Sequence, residues 1–246
     1  MPAPRHRASR FSPVSRPHND GMTRVLGLSV TALALLAATI QPSAASSVPP
    51  FHSSIRPVSA DQRALLAERV WHSGCPVELR DLRVLGVVHV GFDGRAHSGQ
   101  LVVNRDVAKP LVSVFRQLYA LHFPIRHMRL HDFYAGPSAY PADMDVTASF
   151  ECRQAVPSPC TGGTANGHWS NHAYGHAIDL NPRENPYVGC GATRDPNGRK
   201  YLDRTRLRQG MVTPAVVRAF ASIGWGWGGS WSGLTKDYMH FSTNGH

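Results

Sequence analysis

The sequence predicts an α+β domain with a small, mostly antiparallel sheet and flanking helices. The patterns along the chain give the order helix, hairpin, helix, strand, loops, strand, helix, strand, with no internal repeat. This order lacks the regular strand–helix alternation of a parallel sheet. The long polar segments between the later elements are typical of functional loops in a compact domain.

The first 45 residues are expected to lie outside this domain. A basic, Pro-rich flank precedes an apolar stretch over 25–40, and small residues follow near position 45. These features are the marks of a secretory signal peptide, and Met22 would give a more ordinary start. A single-pass anchor is the alternative, although this stretch is short for a membrane span. The Ser/Pro-rich residues 46–58 read as a linker to a domain over 59–246.

The charge distribution disfavours nucleic acid as a partner. The whole chain carries +10, and removing residues 1–45 leaves 21 Lys+Arg against 15 Asp+Glu, a net charge of +6. The basic residues are mostly arginines that are spread along the chain. For an exported basic protein, a polyanionic cell wall is at least as natural a partner. We expect a secreted or cell-wall-associated monomer, without stable membrane association after signal cleavage.

The four cysteines indicate disulfide bonds. An exported protein with an even number of cysteines usually pairs them, and four cysteines allow three pairings. We favour Cys75–Cys152 and Cys160–Cys190. The second pair would join the two loops that flank a His/Asp-rich stretch.

The first half of the domain predicts a helix, a hairpin and a second helix. A capping-box pattern opens a helix over 59–70. β-rich runs over 82–92 and 97–103 surround an Asp-Gly turn signal and predict a hairpin. Asp106 can cap a helix over 106–121, whose apolar residues keep helical spacing. Residues 127–133 read as another strand.

The second half predicts shorter elements between long loops. Residues 148–153 and 177–180 read as short strands, and the second of these is apolar enough to be buried. A Thr-Pro pair starts a helix over 213–222, because proline is well tolerated at the first helical position. The Trp/Gly-rich run 225–231 fits either a strand with an aromatic core face or the wall of a binding groove. Residues 237–240 read as a final strand.

The stretch 170–181 contains candidate metal ligands. His172, His176 and Asp179 lie close together, and imidazole and carboxylate are the ligands of hydrolytic zinc sites. The chain has 14 histidines, so a chance grouping in a buried loop and strand explains the stretch equally well. The third ligand must therefore come from elsewhere.

The final strand can supply that ligand. His240 can join His172 and Asp179, and Asp237, three residues earlier, can hold a carboxylate beside the water that zinc binds. Zinc lowers the pKa of that water to about 7, so a nearby carboxylate can take its proton and pass it on. Arg153 is a candidate donor for the oxyanion that forms during amide hydrolysis.

Three further residues of the region can be interpreted in two ways. His176 would need a helix to pair with His172, but Gly175 interrupts it, so we expect a lining or surface residue. Ser170 could orient a ligand, or could only bond the nearby backbone. Trp231 is the tryptophan of the Trp/Gly run that best suits a groove wall.

The motifs resemble those of a known family. S-x-H-x-x-G-x-A-x-D at 170–179, followed by W-G-W-G-G and D-x-M-H-F, is similar to the zinc D-Ala-D-Ala carboxypeptidase family. That family includes vancomycin-resistance-type D,D-carboxypeptidases and phage L-alanyl-D-glutamate endolysins. The resemblance covers about 130–241, and it implies the Hedgehog/D,D-peptidase fold.

The resemblance also implies roles for individual residues. It implies one zinc ion per chain, bound by His172, Asp179 and His240, with Asp237 as general base. Arg153 falls where the family carries an arginine that contacts the scissile carbonyl or the substrate. The family's base is often Glu, and the shorter Asp shifts the carboxylate, so bond specificity is not carried over.

The sequence thus predicts a secreted zinc metallopeptidase acting on peptidoglycan stem peptides. It would be a D-Ala-D-Ala carboxypeptidase or an L-Ala-D-Glu endopeptidase that uses metal-activated water. The alternative is a non-catalytic, zinc-stabilised module that binds cell-wall peptides, although a binder would need neither Asp237 nor Arg153. A serine or cysteine hydrolase is disfavoured, because no G-x-S-x-G motif is present and the cysteines are expected in disulfides.

Which peptide bond is cleaved depends on whether the site binds a free carboxylate of the substrate. A carboxypeptidase needs a group that binds the free carboxylate, whereas an endopeptidase needs an open groove there. The loop 181–210 contains arginines that could bind a carboxylate or could simply be solvated: Arg183, Arg194, Arg199, Arg204, Arg206 and Arg208.

Overall fold

The computed structural model describes residues 49–136, 138, 140–157, 160 and 167–246. The predicted signal peptide and the alternative start at Met22 lie outside the described residues. Among the helices of the described part, none is long and apolar enough to cross a membrane.

The first half of the domain is built on a three-stranded antiparallel sheet. Its strands are β1 (Ser53–Pro57), β2 (Leu82–Val90) and β3 (Ala96–Asn104), in the order β1-β2-β3. The predicted hairpin is present as β2 and β3. The linker prediction is wrong over β1, which pairs with β2 along its whole length. All five residues of β1 are exposed, so the strand carries no apolar alternation that a sequence pattern could reveal.

Two helices pack with this sheet. Helix α1 (Ala60–Arg69) begins with the predicted capping box, in which the Ser59 hydroxyl accepts from the Gln62 N–H and the Gln62 side chain accepts from the Ser59 N–H. Helix α2 (Arg105–Ala120) begins two residues earlier than an Asp106 cap would allow, because Asn104 caps it instead.

The strand predicted over 127–133 is wrong. Leu130–Tyr134 forms the short helix α3, and His127 makes only an isolated bridge to Val146. Alternate residues are buried here, and this period of two is the pattern that a strand shows in its sequence. The helical turn is fixed by tertiary contacts, among them the Tyr134 hydroxyl that donates to the Phe150 carbonyl at 2.8 Å. A five-residue turn is too short for its periodicity to be recognised.

The second half contains short elements around two small sheets. In chain order these are β4 (Ala177–Asp179), β5 (Tyr187–Val188), α4 (Pro214–Ala221), β6 (Gly226–Trp227), β7 (Lys236–Asp237) and β8 (His240–Ser242). One antiparallel sheet has the order β4-β8-β6, and the other pairs β5 with β7.

Three strand predictions for the second half are only partly met. The extended piece 148–153 is no regular strand; it forms one bridge, from Ala148 to Asp179, and a backbone bond from Phe150 to β3. The run 225–231 holds only the two residues of β6 before a 3₁₀ turn begins. Residues 237–240 are divided between β7 and β8. Strands of two or three residues are too short to show a clear alternation.

One hydrophobic core joins the first sheet to the β4-β8-β6 sheet. Leu111 and Phe115 of α2 belong to the same buried cluster as Phe220 of α4 and Ile178 of β4. Phe241 of β8 stacks on Phe220 with ring centroids 3.9 Å apart. Because side chains alternate along a strand, the neighbours of Ile178 and Phe241 point away from this core. One face of the small sheet therefore packs on the core, and the opposite, polar face carries the side chains next to Ile178 and Phe241.

The structure forms both disulfides that the sequence analysis favoured, Cys75–Cys152 and Cys160–Cys190. Mixed helices and small antiparallel sheets agree with the predicted α+β class.

Candidate metal centre

Three donor atoms meet on the polar face of the small sheet. His172 Nε2, Asp179 Oδ1 and His240 Nδ1 form a triangle in which each pair of atoms is 3.2 Å apart. Zinc bonds of about 2.0–2.1 Å at tetrahedral angles place neighbouring ligand atoms about 3.3 Å apart. The triangle therefore has the size of one face of a tetrahedral zinc site, and the three residues form a possible metal centre.

A tight turn positions His172. The turn Asn171–Tyr174 is capped by Ser170, whose hydroxyl accepts from the His172 N–H at 3.3 Å. Gly175 ends it with a positive φ of 69°, and a Cβ at this glycine would lie 2.6 Å from the backbone nitrogen of Asn104. Only glycine combines that conformation with so close an approach to the end of β3. The motif glycine thus lets His172 lie beside β4.

Asp179 and His240 are held as a cross-strand pair. Asp179 of β4 lies directly opposite His240 of β8 in the antiparallel register. Side chains of directly opposite residues point to the same face of the sheet. The core contacts of Ile178 and Phe241 fix which face this is. Two of the three donors are therefore placed by strand pairing.

Backbone carbonyls set the tautomers of both histidines. His172 Nδ1 lies 2.6 Å from the Ser149 carbonyl oxygen, and His240 Nε2 lies 3.1 Å from that of His246. Carbonyls only accept, so these two ring nitrogens carry hydrogen. In the neutral rings, His172 Nε2 and His240 Nδ1 then present lone pairs to the Asp179 carboxylate. Three acceptors at 3.2 Å repel one another unless a cation lies between them, and this arrangement fits zinc.

The electrostatics of the triangle also favour a positive charge. When no metal is bound and the histidines are protonated instead, burial alone would raise the pKa of Asp179, but the charge of His172 and the hydrogen bonds that the protonated rings donate hold that pKa well below its usual range. Burial lowers the pKa of His172, yet the Asp179 carboxylate outweighs burial and leaves the pKa raised. Either a proton or a metal cation can supply the positive charge that stabilises these three donor atoms.

A second group of potential ligands does not fit a metal. His72, Cys75 and Cys152 also bring donor atoms together. The two sulfurs are joined in a disulfide, however, and a metal needs thiolates.

Asp237 lies in the wall of the same cavity, on β7. Burial raises the pKa of its carboxyl group to about 7, and the negative charge of Asp179 acts in the same direction. Its Oδ1 atom is buried without a hydrogen-bond partner among the described residues. A Cβ at Gly228 would lie 2.6 Å from the Asp237 carbonyl oxygen, so this glycine lets β7 pack closely against the neighbouring turn. A buried, unpartnered carboxylate oxygen beside the donor triangle suits a proton acceptor.

Arg153 reaches the cavity from the extended segment before the site. Its Nε donates to Glu151 Oε2 at 2.7 Å, and its Nη1 donates to the Gln154 carbonyl at 3.4 Å. The segment is fixed by the disulfide at Cys152 and by the Ser170 N–H, which donates to the Arg153 carbonyl at 3.1 Å.

One cavity of about 650 Å³ collects the predicted site residues. Its lining includes the three donors, the base and arginine candidates, and the two residues whose roles the sequence left open: His172, Asp179, His240, Asp237, Arg153, Ser170 and Trp231. His176 does not line it, and its Nε2 instead contacts Asp106 Oδ1 at 3.0 Å.

The tryptophans of the Trp/Gly run 225–231 have different locations, some in the core and one in the cavity wall. Trp225 is buried in the core, and Trp227 packs against the core. Trp231 instead lines the cavity, where its ring stacks on His246 with centroids 5.6 Å apart.

Several cavity residues were not identified from the sequence. Tyr187, Asn244 and His246 line the wall, and Trp169 lies beside Ser170. None belongs to a ligand pattern, and the contribution of His246 to the metal centre is a backbone oxygen, which no residue type signals.

Comparison with known proteins identifies the family that the motifs resemble. Residues 163–243 match the family model described as D-alanyl-D-alanine carboxypeptidase. The matched segment contains the three donor residues and Asp237, and Arg153 lies before it. No curated protein and no solved structure gave a significant match to the chain.

Proposed function

We propose that this member of the zinc D,D-carboxypeptidase family is an exported zinc metallopeptidase that hydrolyses an amide bond in peptidoglycan stem peptides. The observation that carries the proposal is the triangle of His172, Asp179 and His240 donors beside the buried carboxylate of Asp237. The Hedgehog/D,D-peptidase fold and action as a monomer belong to the same proposal.

The donor set supports a catalytic rather than a purely structural zinc. Structural zinc sites usually hold four protein ligands, many of them cysteines, whereas catalytic sites hold three and keep one position for water or substrate. The triangle offers three donors and opens onto the cavity. Bound zinc would supply a Lewis acid and lower the pKa of water.

In the proposed reaction, Asp237 accepts a proton and passes it on. A group with a pKa near 7 can both accept and release a proton at neutral pH. Burial and the Asp179 charge place Asp237 in this range. A divalent cation in the triangle would offset the Asp179 charge and lower this pKa, so the carboxylate would be ionised and ready to accept. It would then return the proton to the leaving amine.

Arg153 stabilises negative charge on the substrate oxygen in this proposal. Its contacts with Glu151 and the Gln154 carbonyl hold the guanidinium in one orientation while the group stays in the cavity wall. Preorganised donors of this kind are worth about 10²–10³-fold in rate.

Export is supported by the cysteine chemistry. Disulfides persist in oxidising compartments, and both cysteine pairs of this chain are bonded. The cell-wall location agrees with the basic charge, which would attract an anionic polymer.

The test combines metal content with peptide cleavage. We expect one zinc per purified chain and cleavage of a defined stem peptide, with products identified by mass spectrometry. Asp237→Ala and the isosteric Asp237→Asn should both retain zinc and lower kcat by about 10²–10⁴-fold, the usual contribution of a general base.

Three results would contradict parts of the proposal. If Asp237→Ala cleaves as fast as the wild type, the base is another group. If His240→Ala keeps its full zinc content, the ligand set is wrong. If the wild type binds zinc and peptide but cleaves nothing, the chain is the zinc-stabilised binding module.

A further inference from the structure

The metal cavity shares part of its wall with a second cavity. The second cavity has a volume of about 470 Å³, and Tyr187, Arg194 and Met239 line both. These three residues therefore face both spaces. Beyond them, the second cavity is lined partly by apolar groups, including Pro182 and the exposed Met144. A peptide held at the metal centre would lie within reach of these shared residues.

Arg194 differs from the other charged residues of the metal cavity in having no partner among the residues that the structure describes. Asp179 and Asp237 belong to the metal centre, and Arg153 pairs with Glu151. Arg194 makes no ion pair or hydrogen bond with any residue that the structure describes, and its side chain is exposed.

The carboxylate of Asp195, the sequence neighbour of Arg194, forms no ion pair with it among the described residues. The carboxylate of Asp195 accepts the Asn197 N–H at 2.8 Å within its own turn. A planar guanidinium matches a carboxylate with two parallel hydrogen bonds. This cation in the wall shared by the two cavities is thus suited to an anionic group of a ligand.

The loop that carries Arg194 is fixed relative to the candidate base. Tyr187 of β5 lies opposite Asp237 of β7. Reciprocal backbone bonds of 2.9 and 3.1 Å between Gly189 and Ala192 close the following turn, and Cys190 is tied to Cys160. Arg194 follows two residues after this closed turn, so its distance from the metal centre is set by the fold.

We propose that Arg194 binds a carboxylate of the peptide substrate at the wall shared by the two cavities and thereby selects peptides that carry one. This inference rests on the proposed peptidase function, and it adds the feature of the peptide that is recognised. The carboxylate has two possible sources in a stem peptide, the chain terminus and the carboxylate of an internal D-glutamate. Both present the same chemistry to a guanidinium.

The experiment compares three peptides on four proteins. The peptides are N-acetyl-L-Ala-γ-D-Glu-L-Lys-D-Ala-D-Ala, its C-terminal amide, and its D-isoglutamine analogue. The proteins are the wild type, Arg194→Gln, Arg194→Lys and the control Arg206→Gln. Arg206 is an exposed arginine on the same long loop that lines neither cavity. Cleavage gives kcat and KM, and calorimetry gives the Kd of each peptide.

Arg194→Gln should raise KM and Kd for the acid peptide by about 10- to 100-fold, the loss expected for a hydrogen bond to a charged group. Arg194→Lys should recover part of this loss, because lysine keeps the positive charge but cannot make the two parallel hydrogen bonds of a guanidinium. Arg206→Gln should match the wild type. Loss of the Arg194 effect with the C-terminal amide identifies the terminus as the source, and its loss with the isoglutamine analogue identifies the internal carboxylate.

The two hypotheses fail in different ways. If the wild type cleaves the peptides and Arg194→Gln discriminates acid from amide and isoglutamine as the wild type does, the role of Arg194 is refuted and the peptidase function stands. If nothing is cleaved but the acid peptide binds through Arg194, the carboxylate site stands and the peptidase function fails. Absence of any binding dependence on Arg194 refutes the inference in either case.

Discussion

Removing Gly245 and His246 should weaken zinc binding, although neither residue offers a donor to the metal. The His246 carbonyl oxygen accepts the Nε2–H of His240 at 3.1 Å and the Ser242 hydroxyl at 3.0 Å. This acceptor fixes the tautomer that leaves the His240 Nδ1 lone pair directed at the donor triangle. Without it, the ring can rotate or exchange its proton between the two nitrogens.

The size of the effect follows from the burial of His240, which is only 5% exposed. Its Nε2–H would be left with little access to water, and an unpaired buried donor costs about 1–3 kcal/mol. Loss of such an outer partner lowers metal affinity by about 10–100-fold, which corresponds to about 1.4–2.8 kcal/mol. The two estimates agree, so we expect the Kd for zinc to rise by this factor.

Competition with a chelator of known zinc affinity would measure this Kd. The matched control is His246→Ala, which removes the ring that stacks on Trp231 but keeps the carbonyl oxygen. Zinc affinity should fall in the truncated protein and stay unchanged in the control. Equal affinities for truncated and full-length protein would refute the reasoning, and so would an equal loss in His246→Ala.

Two further predictions concern stability. Burial, aided by the nearby His97, lowers the pKa of His89 to about 4 from 6.5, so the unfolded chain binds more protons between these values and stability falls as the pH drops. Between pH 7.5 and pH 5 this should cost about 2 kcal/mol, and His89→Phe should remove that part of the slope in urea unfolding; an unchanged slope would contradict it. Replacing the Cys75–Cys152 pair by serines should cost more stability than replacing Cys160–Cys190, because the first closes a loop of 77 residues and the second one of 30. A chain-entropy estimate gives about 4.5 and 3.6 kcal/mol, and the reverse ranking in denaturant unfolding would show that native contacts, not loop closure, dominate.

The candidate metal ligands could be picked out because side-chain type carries their chemistry. His172, Asp179 and His240 are recognised by residue type and spacing, and the structure brings their donor atoms within 3.2 Å. The hairpin and helix α2 were likewise predictable, because their apolar patterns extend over many residues, and helix α1 was predictable from its capping box.

The features that sequence reasoning missed depend on the backbone or on exposed residues. The acceptors that set the histidine tautomers are the carbonyls of Ser149 and His246, and every residue type has a carbonyl. Strand β1 has no buried residue, so only hydrogen bonds to β2 define it. Helix α3 was predicted as a strand because five residues cannot distinguish the two periods.

The cross-strand pairing of Asp179 with His240 makes the donor triangle depend on two strands that are far apart in sequence. These residues are separated by 61 positions in sequence but lie opposite each other in β4 and β8. While the polypeptide is being made, β4 therefore waits without its neighbour, and the triangle lacks a corner until residue 240 has emerged. A copy that is arrested or clipped before this point would lose a strand partner and a metal ligand together.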